Sequence, residues 1–386
     1  MHHLSAFAAL LSVVGLSFTT ATTLPHTPGP YGTSSAQLLL CDESRLDPYA
    51  AALNITEKRH VMVSSFYPTG PSNHCAAYNS TYWPAATARF YEQQYAPLGL
   101  PNGTISSLKL QFCHAQYHHN AKLHLPVVLF SPGLGGSRLL YSAMAQSLAS
   151  QGYIVVTIDH PYDANIVEFP DGSTVLAANI TTNEQIEAAV DTRVKDVLFV
   201  LDQLALTSNK KHLFGPGQWK NTSHDYLAFG HSLGGATAVQ AASKDPRLIA
   251  AVNLDGRQYG SVATQGSKKP ILLVNNPAHE NDPTWVSMWN ATRETKAWIE
   301  IQNVAHQGIS DALVIIDALS DVLTPTVFGL AHGLFGTIAG ARLQQITTTF
   351  VGHFFSYSLS HTGSPLPDIR NGSFTRFPDV RLIGRG

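Results

Sequence analysis

From residue 126 onward the chain alternates short, unbroken apolar runs with longer segments that are apolar along one stripe. Residues 127–131 (VVLFS), 153–159, 226–229, 248–254, 271–275 and 298–302 are runs of the first kind. Four to seven apolar residues without alternation, bounded by turn residues, predict strands buried on both faces. Of the second kind, 138–151 is amphipathic and ends at Gly152. Residues 183–206 carry Ile186, Val190, Val194, Val197 and Leu201 at helical spacing. An Ala-rich run to Ser243 and the stretch 344–360 read as further helices, and 160–178 as a loop or small hairpin around Asp171-Gly172. Strands alternating with helices predict an α/β fold, a mostly parallel central sheet with helices on both faces.

Outside this region the pattern weakens. Residues 59–67 (RHVMVSSFY) are β-rich and partly alternating, which predicts an early strand. Residues 68–120 are irregular, with aromatics and turn residues such as Pro101-Asn102-Gly103, and are expected to cover an edge or face of the sheet. Residues 22–35 are rich in Pro, Gly and Thr and read as a mobile leader. Residues 364–386, with Arg370, Arg376, Arg381 and Arg385, read as a surface tail.

Composition narrows the function classes. Apolar residues make up 44% of the chain, ample for a core, and charged residues only 13%. The formal charge of −2 leaves no basic excess, which argues against nucleic acid and against a polybasic membrane patch. Residues 4–18 form an apolar run too short to span a bilayer, followed by Thr19 and Ala21 at the −3 and −1 positions of a cleavage site. This reads as a secretory signal, although His2 and His3 stand where Lys or Arg is usual; a membrane anchor is the rival reading. Seven N-x-S/T sequons agree with secretion: Asn54, Asn79, Asn102, Asn179, Asn221, Asn290 and Asn371.

The three cysteines allow one bridge within the chain. Cys75–Cys113 is favoured because the pair flanks a single segment rich in Tyr, Pro and Asn. Cys41, after three leucines, reads as a buried small hydrophobe. His114, His118, His119 and His124 invite a metal, but no Cys or acid stands at ligand spacing, so a polar loop is expected. No metal and no cofactor are expected.

The chemistry centres on 226–236, YLAFGHSLGGA. Gly230-His231-Ser232-Leu233-Gly234 fits G-x-S-x-G between a predicted strand and a predicted helix, the context in which the motif raises a serine on a sharp turn. A bare G-x-S-x-G occurs by chance in roughly one chain in ten of this size, and a Gly-rich helix start with a capping serine is the bland reading. The partners tip the balance. In a parallel sheet, catalytic groups lie beyond the carboxyl ends of the strands. That rule selects Asp255 after the 248–254 run, with Asp282 as rival, and His306 after the 298–302 run, with His279 and His353 as rivals. The order Ser, Asp, His matches an α/β-hydrolase. The N–H groups of Leu233 and Leu134 are the candidate oxyanion donors. The loop Pro132-Gly133-Leu134-Gly135-Gly136 lacks the Lys-Ser/Thr that a phosphate-binding loop requires.

These stretches carry a family resemblance. Phe130-Ser131-Pro132-Gly133-Leu134-Gly135-Gly136-Ser137-Arg138, Tyr141, Leu148-Ala149-Ser150-Gln151-Gly152-Tyr153, Asp159-His160-Pro161, the Gly230–Thr237 elbow, Leu254-Asp255 and Val304-Ala305-His306-Gln307 resemble the plasma and intracellular-II type of platelet-activating-factor acetylhydrolase, its secreted fungal members in particular. The resemblance covers roughly 59–311. It favours Asp255 over Asp282. It implies calcium-independent hydrolysis of the sn-2 ester of phospholipids with short or oxidised acyl chains. Ser131-Pro132 departs from the Ser-His pair of the animal enzymes. A general extracellular esterase or polyester hydrolase on the same triad is the alternative, and a non-catalytic hydrolase-like binding protein the alternative of another class.

The organisation expected is a signal peptide at 1–21, a leader and N-terminal extension at 22–58, an α/β-hydrolase catalytic domain at 59–362 and a tail at 363–386. The apolar stretch 309–340 has two readings, core helices or a surface that rests on lipid near the site mouth; core is the preferred one.

Overall fold

In the computed structural model, which describes residues 21–25, 27–114, 125–216, 218–370 and 373–386, the apolar runs form the middle of a nine-stranded sheet. The order across it is Tyr31–Leu46, Lys58–Pro71, Ile154–Ile158, Leu125–Ser131, Thr222–His231, Leu248–Leu254, Ile271–Asn275, Lys296–Ile301 and Val380–Arg385. The six strands from Ile154–Ile158 to Lys296–Ile301 run parallel. The strands flanking them are antiparallel.

Successive side chains of a strand point to opposite faces, and the two faces are filled differently. Val127 and Leu129 join Val190, Val194 and Val197 of helix Asn183–Leu204 and Val239 of helix Leu233–Lys244. Val128 and Phe130 join Leu148 of helix Ser142–Ala149 and Phe350, Phe354 and Phe355 of helix Gly340–Ser360 on the other side. Cover on both faces is why the parallel strands read as unbroken apolar runs rather than alternating ones. Thr182 starts the long Asn183–Leu204 helix with a capping box shared with Gln185.

Several expectations are corrected. The leader and N-terminal extension at 22–58 are not outside the domain: Tyr31–Leu46 is the edge strand of the sheet, in register with Lys58–Pro71. The tail at 363–386 likewise contributes Val380–Arg385, antiparallel to Lys296–Ile301. Both are edge strands with mixed polar sequence, so neither shows the apolar run of a central strand. Cys41 lies exposed on that first edge, where its thiol donates to Glu43 Oε1 at 3.1 Å. Desolvation and the Glu43 carboxylate push this thiol up to about 11.

The irregular segment is organised. Strands Ala77–Thr81 and Leu108–Cys113 form a small sheet with Thr22–Thr23, helix Ala85–Tyr95 lies between them in sequence, and Cys75 is bonded to Cys113. The expected single helix at 138–151 is a short 3-10 turn, Arg138–Tyr141, leading into Ser142–Ala149. The apolar 309–340 stretch divides in two. Ala312–Ala318 buries Leu313, Val314 and Ile316, whereas Pro325–Phe335 buries none of its residues, with Leu330 57% and Leu334 61% exposed. Among the described residues no helix is long and apolar enough to cross a membrane.

Candidate active site

Strand Thr222–His231 delivers Ser232 to the carboxyl end of the sheet, and helix Leu233–Lys244 begins immediately after it. Ser232 holds φ 55° and ψ −125°, a conformation L-residues rarely take. The turn survives because its surroundings admit no side chain: a Cβ on Gly234 would collide with the Ser131 carbonyl oxygen, and one on Gly230 with the Gly234 carbonyl. The Ser232 N–H is held by the Leu254 carbonyl oxygen at 2.8 Å. The result is a half-buried hydroxyl raised above the sheet.

His306 follows strand Lys296–Ile301 and closes on this hydroxyl, with its Nε2 2.9 Å from Ser232 Oγ. Its loop is pinned from the far side. Ala305 N–H donates to the Phe335 carbonyl oxygen at 3.0 Å, and the Asn303 carbonyl oxygen accepts from Thr337 and Ile338 N–H. On the other ring nitrogen, His306 Nδ1 lies 2.5 Å from Asp255 Oδ2.

Asp255 follows strand Leu248–Leu254, has φ 58°, and is fully buried. Burial pushes its carboxyl up, but four donors outweigh it. His279 Nδ1 is 3.2 Å from Oδ1, His306 and the Asn276 side-chain amide approach Oδ2, and the Asn276 backbone N–H donates to Oδ1 at 2.9 Å. The net effect holds Asp255 at about 2, an anion at neutral pH.

The loop after strand Leu125–Ser131 presses against the elbow: a Cβ on Gly133 would lie 3.3 Å from Ser232 Cβ and 3.3 Å from His231 Nδ1. Gly133 N–H donates to Tyr141 Oη at 3.3 Å, and Tyr141 Oη stands 2.9 Å from His231 Nδ1. Burial holds the His231 imidazole down at about 3 and raises the Tyr141 phenol. Both are therefore neutral at ordinary pH. Leu134 is the next residue and 39% exposed. Leu233 occupies the first helical position, where a backbone N–H has no partner within its own helix.

Beneath the loop lies a buried polar layer. Arg193, on the long helix, donates to the carbonyl oxygens of Pro132 and Gly133 and is itself held by both carboxylate oxygens of Asp163. Ser131 Oγ meets His160 Nε2 at 2.9 Å, and His160 Nδ1 meets Asp196 at 2.9 Å. All three are buried, so this second Ser–His–Asp row is walled off from solvent. Burial lowers the His160 imidazole, while Arg59 and His160 hold Asp196 well below the usual carboxylate range against its own burial.

Of the rival residues, His279 lies on Asp255 and the other two lie away from Ser232. Asp282 caps helix Pro283–Ala291 through the Thr284 and Trp285 N–H groups and pairs with His279 Nε2 at 3.1 Å. His353 is exposed on helix Gly340–Ser360. His279, a candidate base by its position in the sequence, instead touches the acid Asp255, and no sequence motif assigns a role to Asp163 or Arg193. Asn54, Asn79, Asn102, Asn179 and Asn290 are exposed, and Asn371 lies outside the described residues. His118, His119 and His124 also lie outside them, while His114 packs on Tyr78. The described residues contain no group of three or more His, Cys, Asp or Glu arranged to hold a metal ion.

The profile of a family described as platelet-activating factor acetylhydrolase, isoform II, matches residues 87–203 and 214–326. A probable 1-alkyl-2-acetylglycerophosphocholine esterase of Arthroderma benhamiae is 29% identical over 97% of each chain. A platelet-activating factor acetylhydrolase of Bos taurus is 28% identical over 48% of each chain. Among solved structures, a ferulic acid esterase from Streptomyces cinnamoneus superposes with a TM-score of 0.74 at 28% identity, covering 95% of this chain and all of that one.

Proposed function

The chain belongs to the platelet-activating factor acetylhydrolase, isoform II, family of carboxylic ester hydrolases, and on that premise we propose that it is a secreted serine esterase acting on the sn-2 ester of phospholipids with a short or oxidised acyl chain. The observation that carries the reading is the row Ser232 Oγ, His306 and Asp255, joined at 2.9 Å and 2.5 Å.

The proposed reaction uses each group in turn. Ser232 Oγ attacks the ester carbonyl while His306 Nε2 takes its proton. The developing oxyanion is received by the N–H groups of Leu134 and Leu233, donors that need no reorganisation as charge appears. His306 then gives its proton to the leaving lysophospholipid alcohol, and Ser232 is left acylated. Water, deprotonated by His306, releases the short acid. Asp255, ionised throughout, fixes the tautomer of His306 and stabilises its cation.

Secretion belongs to the same proposal. The Cys75–Cys113 bond suits an oxidising compartment, and five sequon asparagines stand at the surface. The signal at 1–21 lies almost wholly outside the described residues. Contact with lipid surfaces is supported by the exposed Leu330 and Leu334.

Purified protein assayed on two phosphocholine lipids differing only in an acetyl or a long sn-2 chain tests the reading, with Ser232→Ala as blank. Preference for acetyl is expected. The likeness to a ferulic acid esterase favours a second reading, a general esterase on the same triad. Turnover of a simple soluble ester with none of either lipid would select it.

A further inference from the structure

A cavity of about 670 Å³ opens between helices Ala85–Tyr95, Ala312–Ala318 and Pro325–Phe335. Its size is that of a small-molecule site. Trp83, Tyr91, Leu140, Ile316, Leu319 and Phe335 are among its walls, and no residue that lines it carries a charge.

Two glycines keep it open. Gly329 and Gly333 lie one turn apart inside helix Pro325–Phe335, and both border the cavity. A Cβ built on either meets nothing within 4 Å. Glycine is the least favourable residue for a helix interior after proline, so packing gives no reason for it at either position. What the glycines provide is unfilled space along an apolar wall.

Two residues that line the cavity are tied to the segments that carry the candidate site. Phe335 lines it and receives the Ala305 N–H, one residue before His306. Leu140 lines it and precedes Tyr141, which bonds Gly133 and faces His231 beside Ser232. The cavity thus lies behind the two segments that flank Ser232, next to His306 on one side and Tyr141 on the other.

We propose that the cavity is the site for the long hydrocarbon chain that stays on the substrate, the chain not hydrolysed. The lining selects it: a charged head group would lose its water to walls that return nothing, whereas a methylene chain gains from burial. The assignment deepens the function proposed above and rests on it for the identity of the chain.

The test uses alkylphosphocholines of eight to sixteen carbons, which hold no ester, as inhibitors of 4-nitrophenyl acetate hydrolysis below their micelle-forming concentrations. For the unaltered protein, the inhibition constant is expected to fall by up to about fourfold per added methylene until the cavity is full. Gly329→Phe and Gly333→Leu place side chains in the open volume while improving helix propensity. In each the gain from the shortest to the longest chain is expected to shrink by about tenfold or more. The gain is a ratio within one variant, so a change in overall activity cancels, and thermal midpoints report folding. Constants that ignore chain length, or equal gains in all three proteins, would overturn the proposal. So would inhibition that appears only above the micelle-forming concentration, which would assign the helix to a lipid surface instead. Failure on acetyl phospholipids alone would remove the phospholipid reading and leave this result standing.

Discussion

Arg193 donates to the carbonyl oxygen of Gly133 at 3.1 Å, while the Cα of the same glycine packs toward Ser232. The same guanidinium reaches Pro132, and Asp163 holds it there. The peptide that joins Gly133 to the Leu134 N–H is thus held by a side chain sixty residues from Gly133 in sequence.

Arg193→Lys keeps the charge but cannot fork between two carbonyls and a carboxylate. We expect kcat on a short ester to fall about tenfold to a hundredfold, approaching the cost of one lost oxyanion donor, with KM changed far less. Steady-state kinetics at a temperature where circular dichroism shows the variant folded checks this. An unchanged kcat would show that the loop holds its position without the arginine.

Ser232→Ala and His306→Ala are each expected to lower turnover by about three orders of magnitude or more while leaving the fold intact. A fluorophosphonate probe should label the parent protein and not Ser232→Ala. Normal turnover in either variant would remove the triad assignment.

Asp255 and Asp282 separate cleanly. Asp255→Asn replaces an acceptor of four donors and is expected to reduce kcat by about 10⁴, because the amide stabilises the wrong imidazole tautomer. Asp282→Asn keeps a helix-capping residue, since Asn caps about as well as Asp, and is expected to stay close to the parent rate. The reverse order of damage would move the acid to the later loop.

The same carboxylate gives a pH signature. The folded value of Asp255, about 2, lies below its ordinary 3.8, so the stability it contributes is present above pH 3.8 and lost as pH falls toward 2. The shift corresponds to about 2 kcal/mol. Urea unfolding of the parent at about pH 5 and about pH 2.5 should show this loss, and Asp255→Asn should show it diminished by that amount. Parallel acid profiles would contradict it.

Much of this architecture is legible along the chain. The parallel strands are covered on both faces, so Val127–Phe130 and their counterparts had to be apolar throughout, and runs of that kind are visible without a structure. Ser232 and Asp255 follow their strands directly and His306 follows Lys296–Ile301 by five residues, which is why a rule about strand ends selects all three. The edge strands Tyr31–Leu46 and Val380–Arg385 were hidden because an edge requires no such run, and their partners are decided by register rather than by local preference.

Composition, periodicity and spacing therefore determined the layered α/β sheet, most of its helices and the order of Ser232, Asp255 and His306 at its strand ends, because burial and turn chemistry act on neighbouring residues. Only the tertiary structure decided that Arg193 clamps Pro132 and Gly133, that His279 shares Asp255 with His306, and that Pro325–Phe335 leaves all its residues at least partly exposed beside a cavity. Each of these depends on groups far apart in the chain meeting across a few ångströms. Contacts of that kind leave no local pattern, since an arginine that will be buried and paired is written like one that faces water.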